Sequence, residues 1–218
     1  LRGQGARDQQ QDGAGHGAVI TATFGYADHD PCRLRSVTYD STQYGHRNLA
    51  FSDTDYDAAG RLLKDEAGRR LHYDACGRLV RVEAPGGQAV AGYGYDAGNR
   101  LAWQRVDATQ QLHRLYYRGS RLVNEWISPQ GQAQRAETDT LVRLTGVSQS
   151  ISAGGREGTL LLGTDAGGSL LTGYDGSTRD YAYGPHGQES RTEHGSGQQA
   201  ESVRGWNGER ADPVTGVT

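Results

Sequence analysis

Four residues have types and spacings that suit a metal ion: His29 and Cys32, two residues apart, and His72 and Cys76, three apart. Imidazole nitrogen and thiolate at such separations can hold two corners of a zinc tetrahedron. Their surroundings favour an ordinary role. Cys76 fills a position that Ala59 holds in a related segment, and His72 simply precedes a recurring tyrosine, so no metal is assigned. The run Gly195-Ser196-Gly197-Gln198-Gln199-Ala200 has the spacing of a dinucleotide loop, but no strand-like run leads into it. Neither a Gly-x-Ser-x-Gly nucleophile segment nor a phosphate-binding Gly-x4-Gly-Lys loop is present. Two series remain. The aspartates Asp57, Asp65, Asp74, Asp96 and Asp165 could offer oxygens to calcium or pair as catalytic acids, and Tyr56, Tyr73 and Tyr95 could offer flat faces to a sugar.

Both series belong to one repeated text. Tyr56-Asp57-Ala58-Ala59-Gly60-Arg61-Leu62 returns as Tyr73-Asp74-Ala75-Cys76-Gly77-Arg78-Leu79 and as Tyr95-Asp96-Ala97-Gly98-Asn99-Arg100-Leu101. A worn copy follows at Tyr117-Arg118-Gly119-Ser120-Arg121-Leu122, and Asp65 to Gly68 keeps the turn without the tyrosine. The unit has a mechanism. Aspartate suits the first position of a type I turn, where its carboxylate accepts backbone N–H groups, and glycine suits the left-handed residue after it. That pair closes a hairpin with a G1 bulge. Asp57 with Gly60, Asp65 with Gly68, Asp74 with Gly77 and Asp165 with Gly168 fit, and Asn99 takes the glycine position after Asp96. Turn formation therefore accounts for the carboxylates before cation binding does. The tyrosines are expected to form a ladder, each packed on the tyrosine of the next unit.

The flanks alternate as strands do, as in Arg78-Leu79-Val80-Arg81-Val82. Each unit of about 20 residues gives two short strands and two turns, too little to bury its own apolar side, so units must stack. The fold class is all-β: an array of short antiparallel strands and G1-bulge hairpins. Residues 18–26, 123–127 and 141–147 read as strands, with a turn at Ser128-Pro129-Gln130-Gly131, and 158–171 as a hairpin. Residues 1–17 read as a polar Gly/Gln-rich linker or tail, 18–205 as the repeat region with an exposed loop at 187–201, and 206–218 as a separate ending.

Composition agrees. The chain has 33 Gly in 218 residues, above the usual share of about 7%. Proline is scarce at 5, as paired strands require, and 12 Tyr argue against disorder. A net charge of −3 gives no basic footprint for nucleic acid, no apolar run is long enough for a membrane span, and two cysteines make no disulfide framework. The chain starts at Leu1 and has no Met, so it reads as an internal section of a larger protein.

The repeat, together with Tyr181-Ala182-Tyr183-Gly184-Pro185-His186-Gly187 and Trp206-Asn207-Gly208-Glu209-Arg210-Ala211-Asp212-Pro213-Val214-Thr215-Gly216, resembles the YD-repeat family in its bacterial Rhs branch. The resemblance covers roughly residues 39–218, and its last segment is similar to the lead-in to the Rhs-associated core. It implies that the strands form part of a spiralling hollow β-cage enclosing a C-terminal toxin domain. The implied partners are the remaining shell segments, the toxin, a secretion-machinery spike and a chaperone. The implied localisation is that of an effector assembled in the cytoplasm and delivered to target cells. Family members cleave themselves near the core. Asp212-Pro213 matches the lead-in and not the cleavage motif, so no catalytic residue, no cofactor and no enzyme activity are assigned to this segment. Arg61, Arg78, Arg100 and Arg121 recur at equivalent positions and would give a cage a polar inner face for its cargo. A fragment on its own would expose sheet edges and aggregate. The rival expectation is an extracellular module that recognises glycans or a partner cell surface.

Overall fold

A computed structural model describes residues 7–11, 17–41, 45–65, 67–183, 189–194, 202–210, 212 and 214. The chain divides into two compact units, Leu1–Gln88 and Ala89–Thr218. All the regular structure described is strand, apart from two 3-10 turns at Asp53–Asp55 and Trp206–Gly208. No helix among the described residues is long and apolar enough to cross a membrane.

In the first unit β1 (Arg7–Gln11), β2 (Gly17–Ala27), β3 (Asp30–Ser41) and β4 (Gly45–Ala50) lie in chain order as an antiparallel sheet. β2 is long because Val, Ile, Thr, Phe and Tyr supply most of it, and the more polar β3 pairs with it from Ile20 to Ala27; Phe24 faces Val37, which is buried. After the turn at Asp53–Asp55 come two single bridges, Tyr56 with Leu62 and Lys64 with Arg70. The hairpin of β5 (Arg70–Tyr73) and β6 (Leu79–Glu83) follows, with its register shifted between His72 and Tyr73.

The second unit is a meander. β7 (Ala89–Tyr95), β8 (Leu101–Val106), β9 (Gln111–Arg118), β10 (Arg121–Pro129), β11 (Thr140–Leu144), β12 (Ser148–Ala153), β13 (Arg156–Thr164), β14 (Leu170–Tyr174), β15 (Thr178–Tyr183) and β16 (Glu189–His194) pair in turn, each antiparallel to the next. Three elements differ from the sequence expectation. β1 lies inside the stretch read as a linker, and β16 inside the stretch read as a loop. Both are polar, and pairing at the margin of a sheet uses backbone N–H and C=O groups rather than apolar side chains. β10 also runs on to Pro129, and the chain turns later, at Gly131, whose φ is +81°.

Register places the second unit's inward residues on one face. Tyr93 faces Gln104, and Gln104 faces His113. His113 faces Ile127, two residues from Glu125, which faces Val142. Leu144 faces Gln149, and Gln149 faces Leu160. This face changes character along the sheet. At one end Leu160, Leu162, Leu170 and Tyr181 form an apolar cluster. Leu160 and Tyr181 meet over Gly173, where an added Cβ would stand 3.2 Å from the leucine and 3.5 Å from the tyrosine ring. Towards β8 the buried polar residues Gln149, Glu125, His113 and Gln104 lie among the buried apolar Leu144, Val142, Leu115 and Val106. The opposite face carries the exposed Trp103, Tyr116 and Leu161.

Candidate functional site

The repeat residues form a chain of contacts from one unit to the next. In the first copy the Asp57 carboxylate accepts the N–H groups of Ala59 and Arg61 at 2.9 Å each, and its second oxygen accepts Arg61 Nε at 2.6 Å. Asp65 with Arg69, Asp74 with Arg78 and Asp96 with Arg100 repeat that geometry. Hydrogen bonds from Arg61, Arg78 and Arg100 hold Asp57, Asp74 and Asp96 below the usual carboxylate range. Gly60, Gly68, Gly77 and Gly168 follow the turns with φ between +74° and +90°, and Asn99 has φ +63°.

The arginine then reaches the following tyrosine. Arg61 lies over the Tyr73 ring at 5.1 Å and Arg100 over Tyr117 at 5.0 Å. Each of these tyrosines donates its hydroxyl to a leucine carbonyl of the unit before it: Tyr73 to Leu62 at 2.7 Å and Tyr117 to Leu101 at 3.0 Å. Arg100 also donates to the Gly119 carbonyl. This corrects the expected ladder. The ring's partner is a guanidinium, because Asp pins the arginine at the height where the next ring arrives. The guanidinium groups of Arg61, Arg78 and Arg100 are also paired with the aspartate of the turn beside them.

Two units escaped the sequence reading. Asp30 accepts the Cys32 N–H at 3.0 Å, Arg33 lies over Tyr56 at 5.5 Å, and Tyr56 donates to the Leu34 carbonyl at 2.7 Å. Asp175 pairs with Arg179 at 2.8 Å, with both side chains buried. In the second of these the readable signal was Asp followed four residues later by Arg without the glycine spacing; in the first the arginine follows Asp30 by three.

A second arrangement lies under the C-terminal segment. Val203, Gly205, Asn207, Arg210 and Asp212 lie against the inward face of the second unit. Val203 N–H donates to Gln149 Oε1 at 2.8 Å, Leu170 N–H to the Gly205 carbonyl at 3.2 Å, and Asn207 N–H to Ser169 Oγ at 3.0 Å. The Asp165–Gly168 turn serves this contact: Gly168 and Gly208 approach so closely that a Cβ on Gly208 would stand 3.2 Å from the Gly168 carbonyl. Further along, Arg210 donates Nε to Glu125 at 3.1 and 3.2 Å, Nη2 to Glu125 Oε1 at 2.6 Å and Nη1 to Gln104 Oε1 at 2.7 Å. His113 Nδ1 lies 2.7 Å from the same carboxylate, and Gln104 Nε2 donates to Asp212 at 3.1 Å. Burial alone would raise the Glu125 pKa; the hydrogen bonds from His113 and Arg210 outweigh it and hold the group at about 2. Burial and the neighbouring Asp212 push the Tyr93 phenol up, so it stays protonated. The sequence reading missed Gln104, His113 and Glu125, which look like ordinary polar strand residues.

The remaining candidates stay apart. Cys32 and Cys76 are exposed free thiols, His72 pairs with Glu83 at 2.9 Å, and His29 lies 3.9 Å from Asp53. Among the described residues no group of three or more His, Cys, Asp or Glu is placed to hold a metal ion. The glycine run at 195–200 lies outside the described residues.

The family model described as Teneurin YD-shell matches residues 21–214. No curated protein matches the chain. Among solved structures, a chain of the Photorhabdus luminescens Tc holotoxin pore, carrying a point mutation in TccC3, superimposes with a TM-score of 0.62 at 15% identity over 91% of this chain. A crystal structure of TcdB2-TccC3-TEV gives 0.63 at 16% identity over 98%, and one of TcdB2-TccC3-Cdc42 gives 0.62 at 15% over 97%. These matches share the fold. The chain spans only 11% to 12% of the length of those chains.

Proposed function

The chain belongs to the Teneurin YD-shell family, and from that premise we propose that it is a wall segment of a hollow β-shell that encloses a toxin domain of the same protein for delivery into target cells. The observation that carries this reading is the linkage of Asp, Arg, Tyr and backbone carbonyl between repeat copies, which joins Asp57 and Arg61 to Tyr73 and Asp96 and Arg100 to Tyr117. A wall needs such cohesion and needs no reaction centre, so the segment turns over no substrate, and cutting and toxic activities belong elsewhere in the protein. The solved structures with this fold are parts of Tc toxin assemblies, which supports a toxin as the enclosed partner. The Rhs-type form of the reading adds assembly in the cytoplasm, contact with a secretion spike and chaperone, and use against competing cells.

Limited proteolysis of the full-length protein tests the proposal. The toxin domain should resist protease while the shell is intact and become cleavable when Asp96→Ala and Arg100→Ala are combined. A toxin domain cut as fast in the intact protein as after denaturation overturns it. One observation favours the rival, an extracellular module for glycans or a partner cell surface. Trp103 and Tyr116 stand exposed beside an open hollow of about 530 Å³. A glycan array with the full-length protein separates the two, since strong selective binding lost in Trp103→Ala would favour the module.

A further inference from the structure

The Arg210 environment has features that general wall-building does not require. Arginine carries five N–H donors in a planar fork, and here Nε and Nη2 meet both oxygens of Glu125 while Nη1 meets Gln104. Glu125 and Gln104 are 1% and 0% exposed, so the acceptors are prepositioned and dry. A lysine ammonium, a point charge on a flexible stem, could not satisfy both residues at once.

The segment that delivers the arginine is folded on itself. Gly205 N–H donates to the Glu209 carbonyl at 2.9 Å, Arg204 and Arg210 form a bridge, and Asn207 and Gly208 turn the chain with φ of +53° and +70°. Its hold on the sheet through Val203, Gly205, Asn207, Arg210 and Asp212 is polar. Asn207, Gly208 and Glu209 remain exposed. A buried ion pair adds little net stability, because desolvation offsets most of the attraction, but removing one partner leaves the other charge buried and short of its counterpart. His113 Nδ1 completes the socket, 2.7 Å from the Glu125 carboxylate and 3.2 Å from Arg210 Nη2.

We propose that Gln104, His113 and Glu125 form a guanidinium-recognition socket and that residues 203–210 are its tethered ligand, a strap that leaves and re-docks as a unit while the sheet from β7 to β14 stays folded. The inference stands apart from the shell reading, because it concerns one face of one unit and is tested without cargo.

Hydrogen exchange on the full-length protein, read by mass spectrometry, tests it. Arg210→Ala should raise exchange at residues 203–210 by about tenfold or more while β9 and β10 keep their protection. Arg210→Lys should behave like Arg210→Ala. Millimolar ethylguanidinium should restore strap protection in Arg210→Ala, and ethylammonium at the same concentration should not. Glu125→Gln, which keeps the shape and removes the charge, should free the strap and abolish the rescue. Loss of protection in β9 and β10 together with the strap overturns the proposal. So does an unchanged strap in Arg210→Ala, wild-type protection in Arg210→Lys, or equal rescue by the ammonium.

Discussion

The inward face of the second unit carries an apolar cluster at β13–β15 and a buried polar cluster at β8–β10, although the two stretches belong to one continuous ladder and each also buries residues of the other kind, Arg179 in the first and Val106 and Leu115 in the second. At the apolar end Leu160 and Leu170 are fully buried against Tyr181 from the sheet's own strands. At the polar end Gln104, His113 and Glu125 are as deeply buried, but their partners come from residues up to 108 positions away in the chain. The apolar end gains stability from any well-shaped neighbour. The polar end gains little from burial and accepts only a partner with the right donors. One end holds the sheet together, and the other selects what lies across it.

The contrast can be broken by mutation. Leu160→Ala should have the largest effect, a loss of about 2–5 kcal/mol in denaturant unfolding of the whole unit, since it leaves a cavity in the apolar cluster. Arg210→Ala should cost clearly less in the same measurement while changing exchange locally; an equal cost would erase the distinction. Acid should act on Glu125 at the polar end, and also on the turn aspartates Asp57, Asp74 and Asp96, whose pKa values are lowered too. The Glu125 pKa is lowered from 4.5 to about 2, so its contribution is present above pH about 4.5 and is lost as pH falls through about 2. Melting temperature should drop across that window, and Glu125→Gln should flatten its share of the drop. Tyr73→Phe should have the smallest effect, about 1 kcal/mol for the hydroxyl bond to the Leu62 carbonyl. It should leave strap exchange unchanged.

What the sequence disclosed follows the same division. The turns were legible because Asp57, Asp65, Asp74 and Asp96 bond to N–H groups two and four residues on, which is local chemistry. The tyrosine partners were not, because the meeting of Arg61 with Tyr73 depends on how two units stack. Asp30 and Asp175 were overlooked because the glycine spacing is absent around them, though the carboxylate and arginine remain. The socket was illegible for a stronger reason. Glu125 meets its arginine across 85 positions, and nothing in the local pattern of β10 marks it. β1 and β16 were hidden because backbone pairing leaves no apolar signature.

The direction of the tyrosine bond has a consequence for how such a chain is made. Tyr73 and Tyr117 each reach back, to a carbonyl and a guanidinium that lie earlier in the chain. A unit emerging from the ribosome therefore finds its acceptor already synthesised and closed by its own aspartate, and it brings the donor with it.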